Sequence, residues 1–460
     1  MNSVKAFFAA IGAWFVRAGI AVGKWFKNWF VPVDGKAIIP VRIGRWVKSL
    51  FVATDGKEAG FVTLYKKDGT KSFIAALISI LAGFLVGLVI MIIMSIVLGK
   101  GAVQVWNGIR VLLGGAFFDG DSSAITFGFN GESLGDMLLR ATPLLMTGLS
   151  VAIAFKTGLF NIGAPGQYLM GTMGSLLTAL SIPVSSPFGG FCVWLLAVIV
   201  GMLAGALWGA IPGLFKALLG VNEVIVCIMT NWIAANLVSW VFSATNFQNS
   251  GTGKFGYIVP TETNQVCNPK LGMDVLFAGS WADGSILIAI VLAVVVFVVL
   301  NKTTFGFELK SCGANRNASL YSGMQVKRNI VLSMAIAGGL AGLGASFYYL
   351  NGKTEFVWQT SMSLPAVGFN GIPVALLASS NPVGVIFAAL FMAYLDVGGS
   401  KLTMVTSFNE HLASIIVAVI VYFAGFSKLI KEVLSNNKKN NSTQPTTTNA
   451  VNISATEEAK

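Results

Sequence analysis

Long apolar runs separated by short polar stretches make up most of the chain after residue 72. A helix that crosses the hydrocarbon core of a bilayer needs about 20 apolar residues, and the longer runs come close to that length. These longer runs are residues 73–98, 134–155, 159–182, 191–214, 224–242, 286–300 and 330–350. Three weaker runs follow at residues 364–377, 383–395 and 412–426. The pattern predicts about ten transmembrane helices, some of them broken, with a short eighth and a short ninth.

The basic residues are distributed unevenly between the two sides that these runs define. With an even number of helices, both termini lie on the same side of the membrane. That side carries 24 of the 31 Lys and Arg residues and the opposite loops carry six, while Arg140 lies within a run. Because basic residues accumulate in the cytoplasmic loops of membrane proteins, the distribution predicts that both termini are cytoplasmic.

Composition supports the same class of protein. Of 460 residues, 55% are hydrophobic and 11% are charged, whereas an ordinary soluble domain has about 25% charged residues. The 52 glycines suit helices that pack closely in a bilayer. The sequence therefore predicts an all-α, polytopic protein of the cell (plasma) membrane, with residues 73–426 as its transmembrane domain.

The net charge of +12 has a local origin. Twelve basic and four acidic residues precede residue 73, and such a block fits the anionic inner face of a membrane. We expect membrane lipids as partners and no nucleic acid. In residues 1–72 tryptophans alternate with basic side chains, which is typical of helices in the headgroup layer; a partly disordered basic leader is the alternative. The polar residues 427–460 are predicted to be a disordered tail.

The sequence contains no pattern typical of a catalytic, metal or nucleotide site. The four cysteines are scattered without a CxxC pair, so buried small side chains are the simpler interpretation. The single histidine, His411, lies at the mouth of the last run and is interpreted as an interfacial residue. No GxxxxGK[ST] phosphate loop occurs. We expect no catalytic residue, no metal and no cofactor in this chain, with ATP bound by a partner subunit.

The longest internal cytoplasmic segment, residues 301–328, is longer than a simple connection requires. Its stretch ANRNASLYSGM places Ala314, Ala318, Tyr321 and Met324 at roughly helical spacing. This spacing predicts a short amphipathic helix, with basic residues at its edges, that docks onto a partner. A solvated connector is the alternative.

Two apolar segments are interrupted by Gly, Pro and amide residues, namely FNIGAPGQYLMG (160–171) and LPAVGFNGIPVALLASSNPVG (364–384). Interrupted helices in corresponding halves of a membrane domain indicate a transport site, because irregular backbone at membrane depth has to face protein or water. The residues predicted to offer neutral donors and acceptors there are Asn161, Gln167, Asn231, Asn370 and, less directly, Thr230. Their lack of charge favours a neutral polar solute such as a sugar or nucleoside. The alternative is that each amide only satisfies the backbone of a broken helix.

These segments, with GVNEVIVCIMTNWIA (220–234) and TTFGFELKSCGANRNASLYSGM (303–324), follow one another in an order that resembles the permeases of ATP-binding cassette importers. The likeness is to the ribose/branched-chain amino acid class, with the nucleoside (simple-sugar-type) branch nearest, and covers residues 73–426. It implies a second homologous permease subunit, an ATPase subunit and an extracytoplasmic substrate-binding lipoprotein. It also implies a nucleoside as substrate. In a path for such a solute, Phe160, Tyr168 and Phe369 are predicted to stack on the base while the amides meet the ribose hydroxyls. A sugar, riboflavin or branched-chain amino acid is the alternative within the class, and a secondary transporter is the alternative outside it.

The resemblance further implies that the segment 303–324 contacts the ATPase. The positions it assigns to that coupling are Gly306, Gly313, Asn315, Ala318, Tyr321 and Gly323. Glu223 is a further coupling candidate, although a carboxylate that favours a helix N-terminus is the simpler interpretation. One departure stands out: the family motif NIGxEGQ has Glu where this chain has Pro165. If that Glu binds or gates, the partner permease has to supply it.

Overall fold

A computed structural model describes residues 68–99, 101–119, 126–247, 256–259, 266–357, 363–408 and 411–426. The predictions for the leader and the tail therefore lie outside the described residues, apart from residues 68–72. The chain forms two compact units. The larger unit, Ile78–Ser427, holds the helices that position the site, and of the smaller unit, Met1–Leu77 with Lys428–Lys460, the structure describes residues 68–77.

Fourteen α-helices occur in the described residues, together with a 3₁₀ turn at Gly115–Phe117. The helices are α1 (Asp68–Val97), α2 (Ala102–Gly114), α3 (Gly131–Lys156), α4 (Ala164–Ser181), α5 (Pro187–Leu219), α6 (Glu223–Ser243), α7 (Met273–Leu276), α8 (Ser285–Lys302), α9 (Thr304–Ala314), α10 (Arg316–Tyr321), α11 (Val326–Tyr349), α12 (Ala366–Leu377), α13 (Pro382–Val405) and α14 (His411–Gly425). The described part of the chain has no strand beyond two isolated bridges. The all-α prediction is confirmed.

Seven of the described helices are long and apolar enough to cross a membrane, namely α1, α3, α5, α6, α8, α11 and α13. Together with α4, α12 and α14, they occupy the ten predicted runs. Helix α12 has 12 residues, a length of about 18 Å, so it cannot span a core of about 30 Å. The chain is a polytopic membrane protein, and its eighth predicted span is short as expected.

One predicted boundary was wrong, and one helix was not predicted. The ninth run does not end at residue 395, because α13 continues to Val405 through a stretch that reads as a loop. Its charged residues are paired there: Asp396 bonds to Arg140, and Lys401 donates to the carbonyl of Phe118 at 3.0 Å and to Ser133. Helix α2 was also missed, since residues 99–133 read as an outer loop.

Polar residues at the ends of the apolar runs determine where several helices begin. Asn130, Ser186 and Asn381 each accept a hydrogen bond from a backbone N–H of the first turn of α3, α5 and α13. Such caps satisfy amides that have no partner inside the helix. Helices α5 and α13 also have Pro at the first position, where its missing N–H costs nothing.

Helix α11 lies at the centre of the larger unit and packs against α3, α4 and α5. It meets α5 through glycines: a β-carbon on Gly205 would lie 3.0 Å from the Cα of Gly342, and one on Gly209 would lie 3.0 Å from the Cα of Gly338. Such small residues let two backbones approach closely in the membrane. Gly338 and Gly342 of α11 thus lie directly against the backbone of α5.

Candidate functional site

The two interrupted segments meet in the structure. Helix α4 begins after the irregular residues 157–163, and α12 begins after Pro365. A β-carbon on Gly368, in the first turn of α12, would lie 2.6 Å from the nitrogen of Pro165, in the first turn of α4. One turn further along α12, a β-carbon on Gly371 would lie 2.7 Å from the carbonyl oxygen of Thr147 in α3. The starts of α4 and α12 are therefore joined backbone to backbone.

Asn161 and Gln167 form a reciprocal pair across the start of α4. The Asn161 Nδ2 donates to Gln167 Oε1 at 2.9 Å, and the Gln167 Nε2 donates to Asn161 Oδ1 at 3.1 Å. Asn161 also donates to Ser150 Oγ and accepts from the Gly163 N–H. The side chains of Asn161 and Gln167 are buried, with exposed fractions of 0% and 1%. The pair bridges the irregular segment between α3 and α4 and the first turn of α4.

Asn231 of α6 forms hydrogen bonds to the backbone on both sides of the start of α4. Its Nδ2 donates to the carbonyl of Ile162 at 2.9 Å, and its Oδ1 accepts from the Gly166 N–H at 2.9 Å. One side chain thus replaces two backbone partners that an unbroken helix would have supplied. Thr230 is buried too, but its hydroxyl donates to the carbonyl of Cys227 within its own helix.

In this conformation the buried amides bond to one another and to backbone. A structural role for Asn161, Gln167 and Asn231 is thus visible, and their contact with a solute stays a prediction. The cluster contains no charged side chain. Within the described ranges, no three His, Cys, Asp or Glu side chains come close enough to hold a metal ion.

The aromatic candidates differ in exposure. Phe160 is 39% exposed and stacks on Phe155 with ring centroids 5.4 Å apart. Tyr168 is buried, lies edge-on to Tyr349, and its hydroxyl has no hydrogen-bond partner. Phe369 and Asn370 of α12 are half-buried. Phe160, Phe369 and Asn370 are therefore the candidates with surface open to a solute in this conformation.

The single helix predicted for residues 314–324 is not formed, because Asn315 is extended and caps a new helix: α9 ends at Ala314, α10 runs from Arg316 to Tyr321, and Met324 lies beyond it. The predicted docking element is therefore the pair α9 and α10. The hydroxyl of Thr303 accepts from the Gly306 N–H at the start of α9, and Asn315 Oδ1 accepts from the Ala318 N–H at the start of α10. Gly323, which has a φ of +77°, follows α10. Tyr321 is 92% exposed. Two predicted coupling residues remain. Gly313, near the end of α9, contacts the backbone of residues 156–158. Glu223, the first residue of α6, pairs with Lys216 at 2.9 Å.

Sequence reasoning missed a charge pair between two membrane-spanning helices. The Nη1 of Arg140 lies 2.6 Å from the Oδ2 of Asp396, and the two side chains are 40% and 57% exposed. Because charges in hydrocarbon are costly, this face of α3 and α13 has to meet water or another protein. Arg140 within a predicted span was the available signal, but its partner was assigned to a loop.

A buried polar cluster around Asp283 was also missed. Its carboxylate accepts from Asn268 Nδ2 at 2.8 Å and from Asn351 Nδ2 at 3.0 Å, while Asn268 Oδ1 accepts from the indole N–H of Trp194 at 2.9 Å. The cluster fastens the loop before α8 to α5 and to the end of α11. No sequence motif links these four positions, so no signal could have found them.

Comparisons with known proteins agree on one family. Residues 133–425 match the family model described as branched-chain amino acid transport system / permease component. The chain is 34% identical over 367 residues to the guanosine ABC transporter permease protein NupP of Bacillus subtilis, which covers 79% of this chain and 96% of NupP.

Two further relatives have similar names. The nucleoside ABC transporter permease protein NupB of Lactococcus lactis is 34% identical over 374 residues, 80% of this chain and 95% of NupB. The glucose ABC transporter permease protein TsgB13 of Haloferax volcanii is 32% identical over 304 residues, 65% of this chain and 77% of TsgB13. No solved structure matches the chain.

Proposed function

Since this chain belongs to the family of branched-chain amino acid transport system permease components, we propose a specific role for it. It is the permease subunit of an ATP-binding cassette importer that moves nucleosides into the cell. The observation that carries the proposal is the near-complete overlap with NupP and NupB, at 34% identity each. The uncharged cluster at the starts of α4 and α12 supports a neutral solute, because an ion pathway would more often have buried ionisable groups.

Nucleoside recognition is assigned to the half-exposed residues beside the amide cluster. Phe160 and Phe369 offer ring faces for a base, since stacking between a base and an aromatic ring is worth about 1–3 kcal/mol in nucleic-acid proteins. Asn370 offers donors and acceptors for ribose hydroxyls. Asn161, Gln167, Tyr168 and Asn231 join the path in a conformation in which the reciprocal amide pair opens. Delivery of the solute by a binding lipoprotein makes weak contacts in the path sufficient.

The energy for transport comes from a separate ATPase subunit, since this sequence has no phosphate loop. The docking surface for that subunit is the α9–α10 pair. Its exposed apolar side chains support this assignment: Phe307, Leu320 and Tyr321 are all turned outward. Large exposed aromatic and aliphatic side chains on a short helix are typical of a protein interface.

A second homologous permease is assigned to the outer face of α6. This face is an open, largely apolar surface of one helix, formed by Met229, Trp232, Ile233, Asn236, Leu237 and Trp240. Asn236 is exposed in the middle of the apolar helix, where its Nδ2 donates to the carbonyl of Trp232 at 2.8 Å. An amide turned toward lipid is unfavourable, so a protein partner fits this face better.

We expect the helix bundle to have two states. Nucleotide bound to the ATPase favours one of these states over the other. ATP binding closes the ATPase pair, the α9–α10 pair moves with it, and the starts of α4 and α12 change their contact. Hydrolysis resets the bundle after the solute has left toward the cytoplasm.

The test is uptake by the purified complex. The tagged chain is purified with the subunits that accompany it, reconstituted into liposomes with the binding lipoprotein, and supplied with radiolabelled guanosine. We expect uptake that requires ATP and is unaffected by an ionophore. Uptake driven by an ion gradient without ATP would show a secondary transporter instead. Because TsgB13 is named for glucose, radiolabelled glucose is the matched second solute, and glucose uptake without guanosine uptake would contradict the nucleoside assignment.

A further inference from the structure

The helix pair α9–α10 is fastened to residues 157–163, the linker between α3 and α4. A β-carbon on Gly313, near the end of α9, would lie 2.9 Å from the backbone nitrogen of Gly158. Gly158 has a φ of +69° and would carry its own β-carbon 3.1 Å from the Cα of Gly313. Two glycines thus let the α9 backbone and the α3–α4 linker touch without intervening side chains.

Arg316 adds a hydrogen bond to this backbone contact. It is the first residue of α10, and its Nη2 donates to the carbonyl of Gly158 at 3.1 Å. The charge of Arg316 also acts on the carboxylate of Glu223, which pairs with Lys216 at the junction of α5 and α6. A guanidinium bond to a carbonyl is charge-assisted and stronger than a neutral one. Any displacement of α10 therefore pulls on the carbonyl of Gly158.

The linker leads from Gly158 directly to the amide cluster. Leu159 is buried, and its N–H donates to the carbonyl of Ala154 at 2.9 Å. Asn161 comes two residues later and forms the reciprocal pair with Gln167. Only two residues, Leu159 and Phe160, lie between the carbonyl that Arg316 holds and Asn161. A displacement at Gly158 therefore acts close to the residue that bridges the start of α4.

One polar atom beside α9 and one on α4 are buried without a hydrogen-bond partner. Among the described residues, the structure has three buried side-chain N or O atoms with no hydrogen bond. One is the Oδ1 of Asn329, whose Nδ2 bonds to Glu308 of α9 at 2.8 Å, and another is the hydroxyl of Tyr168 next to Gln167. Buried atoms of this kind are costly.

We propose that Arg316 is a positioning residue that transmits the movement of the α9–α10 pair, through the carbonyl of Gly158 and the α3–α4 linker, to the Asn161–Gln167 pair at the start of α4. The inference rests on the proposed coupling to an ATPase. It goes further by naming the intramolecular contact that carries the coupling, on the side of α10 that faces the permease.

The experiment compares Arg316→Gln with Lys270→Gln in the reconstituted complex. Lys270 is the control, because it carries the same charge, lies outside the α9–α10 pair and forms an exposed pair with Asp274 at 3.8 Å. The first readout is the number of ATP molecules hydrolysed per guanosine taken up. A hydrogen bond to a charged group shifts an equilibrium by roughly ten-fold or more, so Arg316→Gln is expected to raise this ratio by roughly ten-fold. Lys270→Gln is expected to leave it unchanged, and Arg316→Lys to restore part of the coupling.

The second readout needs no transported solute. Deuterium uptake of the peptide 157–168 is measured without nucleotide and with ATP plus vanadate. We expect nucleotide to change the exchange in the wild type and in Lys270→Gln, and the change to be lost in Arg316→Gln. A nucleotide-dependent change that persists in full in Arg316→Gln overturns the proposal.

The two readouts separate this proposal from the nucleoside assignment. A complex that hydrolyses ATP without moving guanosine removes the nucleoside assignment, and the exchange measurement still decides the role of Arg316. A chain that purifies without any ATPase removes both. If Arg316→Gln fails to assemble, Gly313→Ala disturbs the same contact from α9 and is expected to abolish the exchange difference; its persistence there overturns the proposal.

Discussion

Gly368 packs so closely against Pro165 that a β-carbon on Gly368 would lie 2.6 Å from the nitrogen of Pro165. The two residues belong to the first turns of α4 and α12, the two interrupted segments in different halves of the membrane domain. Proline contributes no N–H at this point, and glycine contributes no side chain, so both backbones come as close as they can. The junction of the two halves depends on this pair.

Gly368→Ala is expected to separate α4 from α12. Forcing extra atoms into a tight contact typically costs about 1–3 kcal/mol, which lowers the midpoint of thermal unfolding in detergent and reduces guanosine uptake. Gly101→Ala is the matched control, because Gly101 has a φ of −77° and no atom within 4 Å of an added β-carbon. Equal stability and uptake in the two variants would contradict the close contact.

The reciprocal pair of Asn161 and Gln167 makes a prediction about additivity. Asn161→Leu and Gln167→Leu each leave a buried amide without its partner, a cost of about 1–3 kcal/mol. The double variant removes both amide groups together, so its loss of thermal stability should be smaller than the sum of the single losses. Its uptake should be abolished while the subunits still assemble. Strictly additive losses would argue against the pair, and normal uptake in the double variant would refute its role in transport.

The cluster around Asp283 predicts a difference between two aspartates near α7 and α8. In Asp283→Asn the new amide N–H₂ faces either the donors of Asn268 and Asn351, which share Oδ2, or the N–H of Ser285, which bonds to Oδ1. At least one buried donor therefore loses its acceptor, at a cost of about 1–3 kcal/mol. Asp274→Asn removes only an exposed pair with Lys270 at 3.8 Å, and such pairs contribute about 0–1 kcal/mol. Differential scanning fluorimetry compares them. A larger effect of Asp274→Asn would contradict the assignment.

The exposed Tyr321 predicts a contact on the partner ATPase. Truncation of a central interface aromatic commonly weakens binding by roughly ten-fold or more, so Tyr321→Ala should lower the amount of ATPase that co-purifies with the tagged chain. Trp106→Ala is the control, because Trp106 of α2 is also exposed but lies on the predicted outer side. Undiminished co-purification of the ATPase with Tyr321→Ala would show that α10 does not form the interface.

The sequence pattern predicts the ten apolar helices and the two interruptions, because each depends on local signals. Apolar runs of sufficient length, caps such as Ser186 and Asn381, and breakers such as Pro165 all act within a few residues. Helix α2 is not predicted because its 13 residues are too few to suggest a span. The end of α13 is not predicted because Asp396 and Lys401 are accommodated in this helix by partners more than 250 residues away in the sequence.

The candidate site is predictable in part. The interruptions draw attention to Asn161, Gln167 and Asn231, and the structure brings these three together. Their bonds are not predictable, because Asn161 and Gln167 are six residues apart across a break, and Asn231 reaches Gly166 over 65 residues. The contact between Arg316 and Gly158 spans 158 residues and leaves no trace in the sequence.

Labelling at the mouths of the two interrupted segments tests the central claim most directly. Phe160→Cys and Asn370→Cys, in a chain whose native cysteines are replaced, are treated with a water-soluble maleimide in the reconstituted complex, without nucleotide and with ATP plus vanadate. The account predicts that both positions react in at least one of these states and that guanosine slows the reaction. No reaction at either position in any state would contradict it, since the two segments would then face lipid or a closed core.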